Sequence, residues 1–139
     1  MIVVDASVAV KWFAPEPGNA AAKALVGREL VAPALLRVEV ASALVKKGLR
    51  GELTPDDLKR ALELWFTGLA EGQIGLIADD DDLPAACAIA LELGHPVPDC
   101  LYLAAARRLN APLITADRKF ARRAATKHPA VQVLAADQL

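Results

Sequence analysis

An α/β fold with a short, largely parallel central sheet is the class that this sequence predicts. Two observations predict it. Short β-branched or apolar runs (MIVV at 1–4, LVAP at 30–33, IGLIA at 74–78, PLIT at 112–115, VQVL at 131–134) recur along the chain. Between them lie longer stretches of helical character, and strands alternating with helices build parallel sheets. A length of 139 residues suits one domain, taken as 1–139.

The run at 1–4 reads as a buried strand, and the pattern turns helical from Ala6 to about Phe13, where Pro15 and Pro17 stop it. A second short helix covers 19–28 and leads to the strand at 30–33. Residues 34–49 form a long helix ended by Gly51; its apolar residues occupy more than one stripe, which predicts burial on two sides. Thr54-Pro55-Asp56-Asp57 is a strong helix start, with a capping hydroxyl, a first-turn proline and acids suited to the helix dipole. That helix runs to about Glu71, and the strand at 74–78 follows. Asp82 is the expected cap of a helix ending at Gly94. A helix from Pro98 or Asp99 to about Leu109, the strand at 112–115, a basic helix at 118–127 and a last strand at 131–134 complete the chain.

The hydrophobic fraction of 55% excludes a disordered chain and leaves apolar surface that a second copy or a partner would cover. No uncharged apolar run approaches the ~18 residues of a membrane span, and Asp5 and Lys11 interrupt the one candidate signal core. A cytoplasmic protein without membrane contact is expected. Cys87 and Cys100 are isolated and read as small core residues. Net charge of −1 does not announce nucleic-acid binding, but Arg118, Lys119, Arg122 and Arg123 form a basic patch directly after an acid, Asp117.

Asp5, Glu39, Asp99 and Asp117 are each embedded in an apolar stretch. Carboxylates in such surroundings need compensation. Singly, Asp5, Asp99 and Asp117 are also good helix caps. Glu39, inside a helix, is not. Asp5 and Asp117 follow strands, and in open α/β sheets ligands bind at the carboxyl ends of strands. A cluster of carboxylates favours a hard divalent cation, Mg2+ or Mn2+, over zinc. Zinc prefers His or Cys, and His95 and His128 read as isolated surface or loop residues. A cation held this way suits phosphate chemistry.

Four motifs then stand in order: D-A-S at 5–7, E-V at 39–40, D-C-L-Y-L-A at 99–104 and T-A-D-R-K-F at 115–120. The ordered set resembles the PIN-domain family, and most closely the VapC-type toxins of bacterial toxin–antitoxin pairs. The resemblance implies a three-layer α/β/α domain and a metal-dependent endoribonuclease using Mg2+ or Mn2+. By position it makes Asp5, Glu39, Asp99 and Asp117 the acidic quartet, with Asp5 and Asp99 as direct metal ligands. Ser7 and Thr115 would be supporting hydroxyls, and Arg118, Lys119, Arg122 and Arg123 contacts to the RNA backbone. It also implies a homodimer and a VapB-type antitoxin, whose C-terminal segment would lie against some of Trp12, Phe13, Trp65 and Phe66; core packing is the other role for these rings. Two other functions stay open at this point. One is a PIN nuclease of RNA processing without a toxin role. The other is a receiver-like phosphoacceptor domain, in which Glu39 has no function.

Overall fold

The computed structural model describes residues 1–133. Its sheet has five parallel strands: β1 (Ile2–Val4), β2 (Leu30–Pro33), β3 (Gly75–Ile77), β4 (Leu113–Thr115) and β5 (Val131–Val133), in the order β3-β2-β1-β4-β5. The expected last strand matches up to residue 133; its end at 134 lies outside the described residues. The registers pair Val3 with Val31 on one side and with Leu113 on the other. β1 is therefore the central strand, which is why all three of its residues are buried.

The helices are α1 (Ala6–Ala9, continued by a 3-10 turn at Val10–Trp12), α2 (Asn19–Lys23), α3 (Leu36–Leu49), α4 (Pro55–Ala70), α5 (Leu83–Leu93), α6 (Val97–Arg108) and α7 (Arg118–Ala124). The chain moves outward from β1 through β2 to β3, then crosses back to β4 and continues to β5. Right-handed crossovers place α1 to α4 on one face and α5 to α7 on the other. α6 lies across β1, β2 and β4, and α5 packs on α6. Residues 100–106 of α6 are accordingly all buried.

Chain order reverses between β1 and β4, so the carboxyl ends of these two strands flank the crevice where doubly wound sheets bind ligands. The same order differs from the 2-1-3-4-5 sheet of receiver-like domains. That removes the phosphoacceptor alternative.

Three expectations about burial are corrected. α3 buries one stripe (Leu36, Val40, Leu44), while Val38, Val45 and Leu49 are exposed, because α4 covers only part of it. Cys87 is exposed on the outer face of α5; only Cys100 is a core residue. His95 and His128 lie in loops, as one half of the expectation had it, but neither is isolated on the surface. His128 is buried with Nε2 against Glu92, and the His95 side chain is 7% exposed.

Candidate active site

Asp5 and Asp117 sit where β1 and β4 hand over to helices. Each has extended backbone, and each caps the helix that follows: Asp5 Oδ1 accepts from the Val8 N–H, and Asp117 Oδ1 accepts from the Phe120 N–H at 3.0 Å. Capping and site formation are the same geometry here, since a cap at a strand end aims its carboxylate along the crevice rim. Asp99 is not a cap. Pro96 holds the cap position before α6, and Asp99 lies in the first turn, where the helix dipole favours a negative charge. Glu39 lies in the first turn of α3, half-buried.

Two of the four acids form a tight group with a histidine. An oxygen of Asp99, an oxygen of Asp117 and a ring nitrogen of His95 lie within 4.8 Å of one another. Asp5 and Glu39 stand outside that tight group, yet each feels the Asp99 charge. Burial pushes the Asp5 carboxyl up to about 6, against donated hydrogen bonds from Ser7, Thr115 and the Val8 backbone. Burial also raises Glu39, with the neighbouring charges of Asp99 and Asp79 adding to the effect. No Lys or Arg pairs with Asp5, Glu39, Asp99 or Asp117 among the described residues; His95 alone faces Asp99. A buried carboxylate with no Lys or Arg to balance it and the Asp99 charge beside it suits a hard divalent cation.

Two hydroxyls tie the strand ends together. Ser7 Oγ donates to Asp5 Oδ1 at 2.5 Å and accepts from the Ala116 N–H at 2.9 Å, so it bridges β1 to the residue after β4. Thr115 is fully buried, and its Oγ1 accepts from the Asp117 N–H at 3.0 Å and lies 3.4 Å from Ser7 Oγ.

The structure adds two residues that the sequence reading passed over. Tyr102 donates its hydroxyl to Glu39 Oε1 at 2.5 Å, and burial with three nearby acids raises its own pKa far above the usual range. Its signal was available: Tyr102 follows Asp99 by three on one helix, and such pairs share a face. His95 Nε2 lies 2.6 Å from Asp99 Oδ2.

Arg118, Lys119, Arg122 and Arg123 are exposed along α7 beside Asp117. Arg123, however, turns back to the Gly94 carbonyl and the His95 ring. Trp12, Phe13 and Trp65 line one cavity of about 580 Å3 between the α1 end, the turn at Val26, Gly27 and Arg28 and the C-terminal half of α4. Phe66 is absent from its wall and 55% exposed. Trp12 donates its indole N–H to the Ala22 carbonyl, Trp65 donates to that of Arg37, and Phe13 meets Trp65 edge-on at 5.8 Å.

Known proteins match this arrangement. The PIN domain family model matches residues 2–126. Ribonuclease VapC3 of Pyrobaculum aerophilum is 34% identical over 125 residues, covering 86% of this chain and 92% of that protein. Among solved structures, a toxin–antitoxin complex from Klebsiella pneumoniae superposes with a TM-score of 0.65 at 18% identity, covering 95% of this chain and 96% of the other. A crystal structure of a Pyrobaculum aerophilum protein gives 0.69 at 21% identity, covering 96% and 88%. With the family model matching nearly the full length and the ribonuclease relative covered over most of both chains, the chain belongs to the PIN-domain family.

Proposed function

We propose that this chain is an endoribonuclease toxin that works with Mg2+ or Mn2+ and is neutralised by a VapB-type antitoxin. The observation that carries the reading is the acidic group around Asp99: Asp117 has an oxygen within 4.8 Å of it, Asp5 and Glu39 each feel its charge, and no Lys or Arg among the described residues pairs with any of them. The relative named ribonuclease VapC3 and the toxin–antitoxin neighbour support RNA as substrate and an antitoxin as partner.

Asp5 and Asp99 are the proposed direct ligands, and Asp117 holds a second ion or a water of the first. A bound divalent cation supplies charge neutralisation at the phosphodiester and an acidified water. Ser7 and Thr115 hold the Asp5 carboxylate in place. Glu39, pinned by Tyr102, orients the attacking water; hydrolysis leaves a 5′-phosphate and a 3′-hydroxyl. Arg118 and Lys119 occupy the first turn of α7, where the helix dipole disfavours positive charge. Their placement serves binding better than stability, and with Arg122 they would hold the RNA backbone.

The whole of 1–139 acts as one PIN domain in the cytoplasm. No helix among the described residues is long and apolar enough to cross a membrane. The exposed stripe Val38, Val45, Leu49 on α3 supports a homodimer, because it is one helix face left without cover. The aromatic cavity is the proposed seat of the antitoxin segment.

The test is direct. The purified chain cleaves RNA with Mn2+ or Mg2+ and stops on chelation, and Asp5→Asn removes the activity. Cleavage that survives in Asp5→Asn sinks the site assignment. Expression alone should arrest growth, and co-expression of the antitoxin should relieve it.

A further inference from the structure

We propose that His95 and Arg123 are positioning residues that hold Asp99 in the geometry the cation requires, so that Arg123 serves the acidic site rather than the RNA. The inference rests on the reading of Asp99 as a cation ligand.

Arg123 Nη1 lies 3.1 Å from His95 Nδ1. A guanidinium only donates, so Nδ1 accepts. The ring proton then sits on Nε2, and this N–H is donated to Asp99 Oδ2 at 2.6 Å. The same Arg123 nitrogen donates to the Gly94 carbonyl at 3.2 Å, which fixes the guanidinium against the turn that ends α5. Gly94 takes the left-handed conformation (φ 62°) that this turn needs, and the His95 N–H returns to the Ala90 carbonyl at 3.1 Å. The His95 ring packs on Phe120 at 4.8 Å, and Phe120 is buried. The imidazole is thus held by its backbone, its face and Nδ1, leaving Nε2 aimed at one carboxylate oxygen.

The relay has a second consequence. Asp117 accepts from the Phe120 N–H, and Phe120 carries the His95 ring. Two acids, one at the start of α6 and one after β4, are therefore referred to one short helix, α7. That fixes their separation, and metal sites depend on such outer hydrogen bonds.

The experiment measures Mn2+ binding by calorimetry and RNA cleavage for the wild type, His95→Gln, His95→Phe, Arg123→Met and the His95→Phe/Arg123→Met pair. Gln keeps an N–H near the Nε2 position and should stay within about threefold of wild type in Mn2+ affinity, whereas Phe should lose about 10–100-fold. Arg123→Met should weaken Mn2+ binding, add little in the His95→Phe background, and leave KM for RNA and its salt dependence unchanged. Wild-type Mn2+ affinity in His95→Phe overturns the relay, as does a His95→Gln loss equal to that of Phe. An Arg123→Met effect that is additive, confined to KM and salt-dependent assigns Arg123 to the RNA instead and also overturns it. His95→Gln and Arg123→Met keep the answer available if Phe disturbs folding. Asp5→Asn separates the two readings: cleavage that persists there removes the parent site, while loss there beside a normal His95→Phe rejects the relay alone.

Discussion

Burial lifts the Asp5 carboxyl to about 6 from an ordinary value of 3.8, and the protein offers it hydrogen bonds but no Lys or Arg. Between those two values the folded chain binds more protons than the unfolded chain, so stability falls as pH rises. The contribution is full below about 3.8 and gone above about 6, and at ~1.36 kcal/mol per pH unit it amounts to about 3 kcal/mol. Glu39 shifts in the same direction. In chelator, the melting temperature of the wild type should therefore carry a falling component from pH 4 to pH 7 that Asp5→Asn lacks. At pH 7 without metal, Asp5→Asn should melt several degrees above the wild type while being inactive, and added Mn2+ should raise only the wild type. Equal pH slopes for the two proteins would refute this. The four acids were legible in the sequence because each interrupts an apolar run. His95 was not, because what buries it, Phe120 and Arg123, lies on α7 and reaches it only in the folded chain. Cys87 failed for a related reason: alanine-rich helical sequence gives no sign of which face meets the core.

Among the elements, starts and stops were the most readable, because they depend on neighbouring residues alone. Thr54 accepts from the Asp57 N–H at 3.1 Å as expected of a cap, so Thr54→Ala should cost about 1 kcal/mol in denaturant unfolding and leave cleavage intact. Asp82 holds the N-cap position of α5 as expected, but its side chain has another task. Its carboxylate makes no capping bond; it turns to Arg108, with oxygens 2.7 and 3.0 Å from the guanidinium, and so clamps the start of α5 to the end of α6. Asp82 is buried while the Arg108 side chain is 44% exposed, which makes the clamp asymmetric. Removing the Arg strands a buried anion; removing the Asp frees a cation that water can solvate. Arg108→Met should therefore destabilise the protein more than Asp82→Ala, as read from urea midpoints. Asp79, in the same acidic run, accepts from the Leu35 N–H at 3.0 Å and sets the entry to α3. The acidic run Asp79 to Asp82 thus contains two structural anchors. Their partners lie 26 and 44 positions away, beyond the reach of local pattern.

At the scale of the whole molecule, strand alternation predicted the parallel sheet, but its order needed the structure. Runs of three or four residues carry no information about which neighbour they pair with. The aromatic residues show a similar limit, since their spacing places them in two helices without saying which rings face a groove. Trp65 is almost fully buried, so Trp65→Ala should cost about 3–5 kcal/mol of folding stability. Trp12 is half-buried on the cavity wall, and Trp12→Ala should weaken antitoxin binding by 2 kcal/mol or so in calorimetry while the fold survives. Unchanged antitoxin affinity in Trp12→Ala would move the partner off this cavity. The central position of β1 also bears on how the chain is made. β1 must wait for β4, since Val3 pairs with Leu113 and Ser7 bonds to the Ala116 amide. Until β4 arrives, Asp5 has neither its Thr115 neighbour nor the opposite wall of the crevice. A growing chain therefore cannot bring Asp5 and Asp117 together until β4 has been made and has joined β1, so the site is assembled by the pairing of segments more than a hundred residues apart.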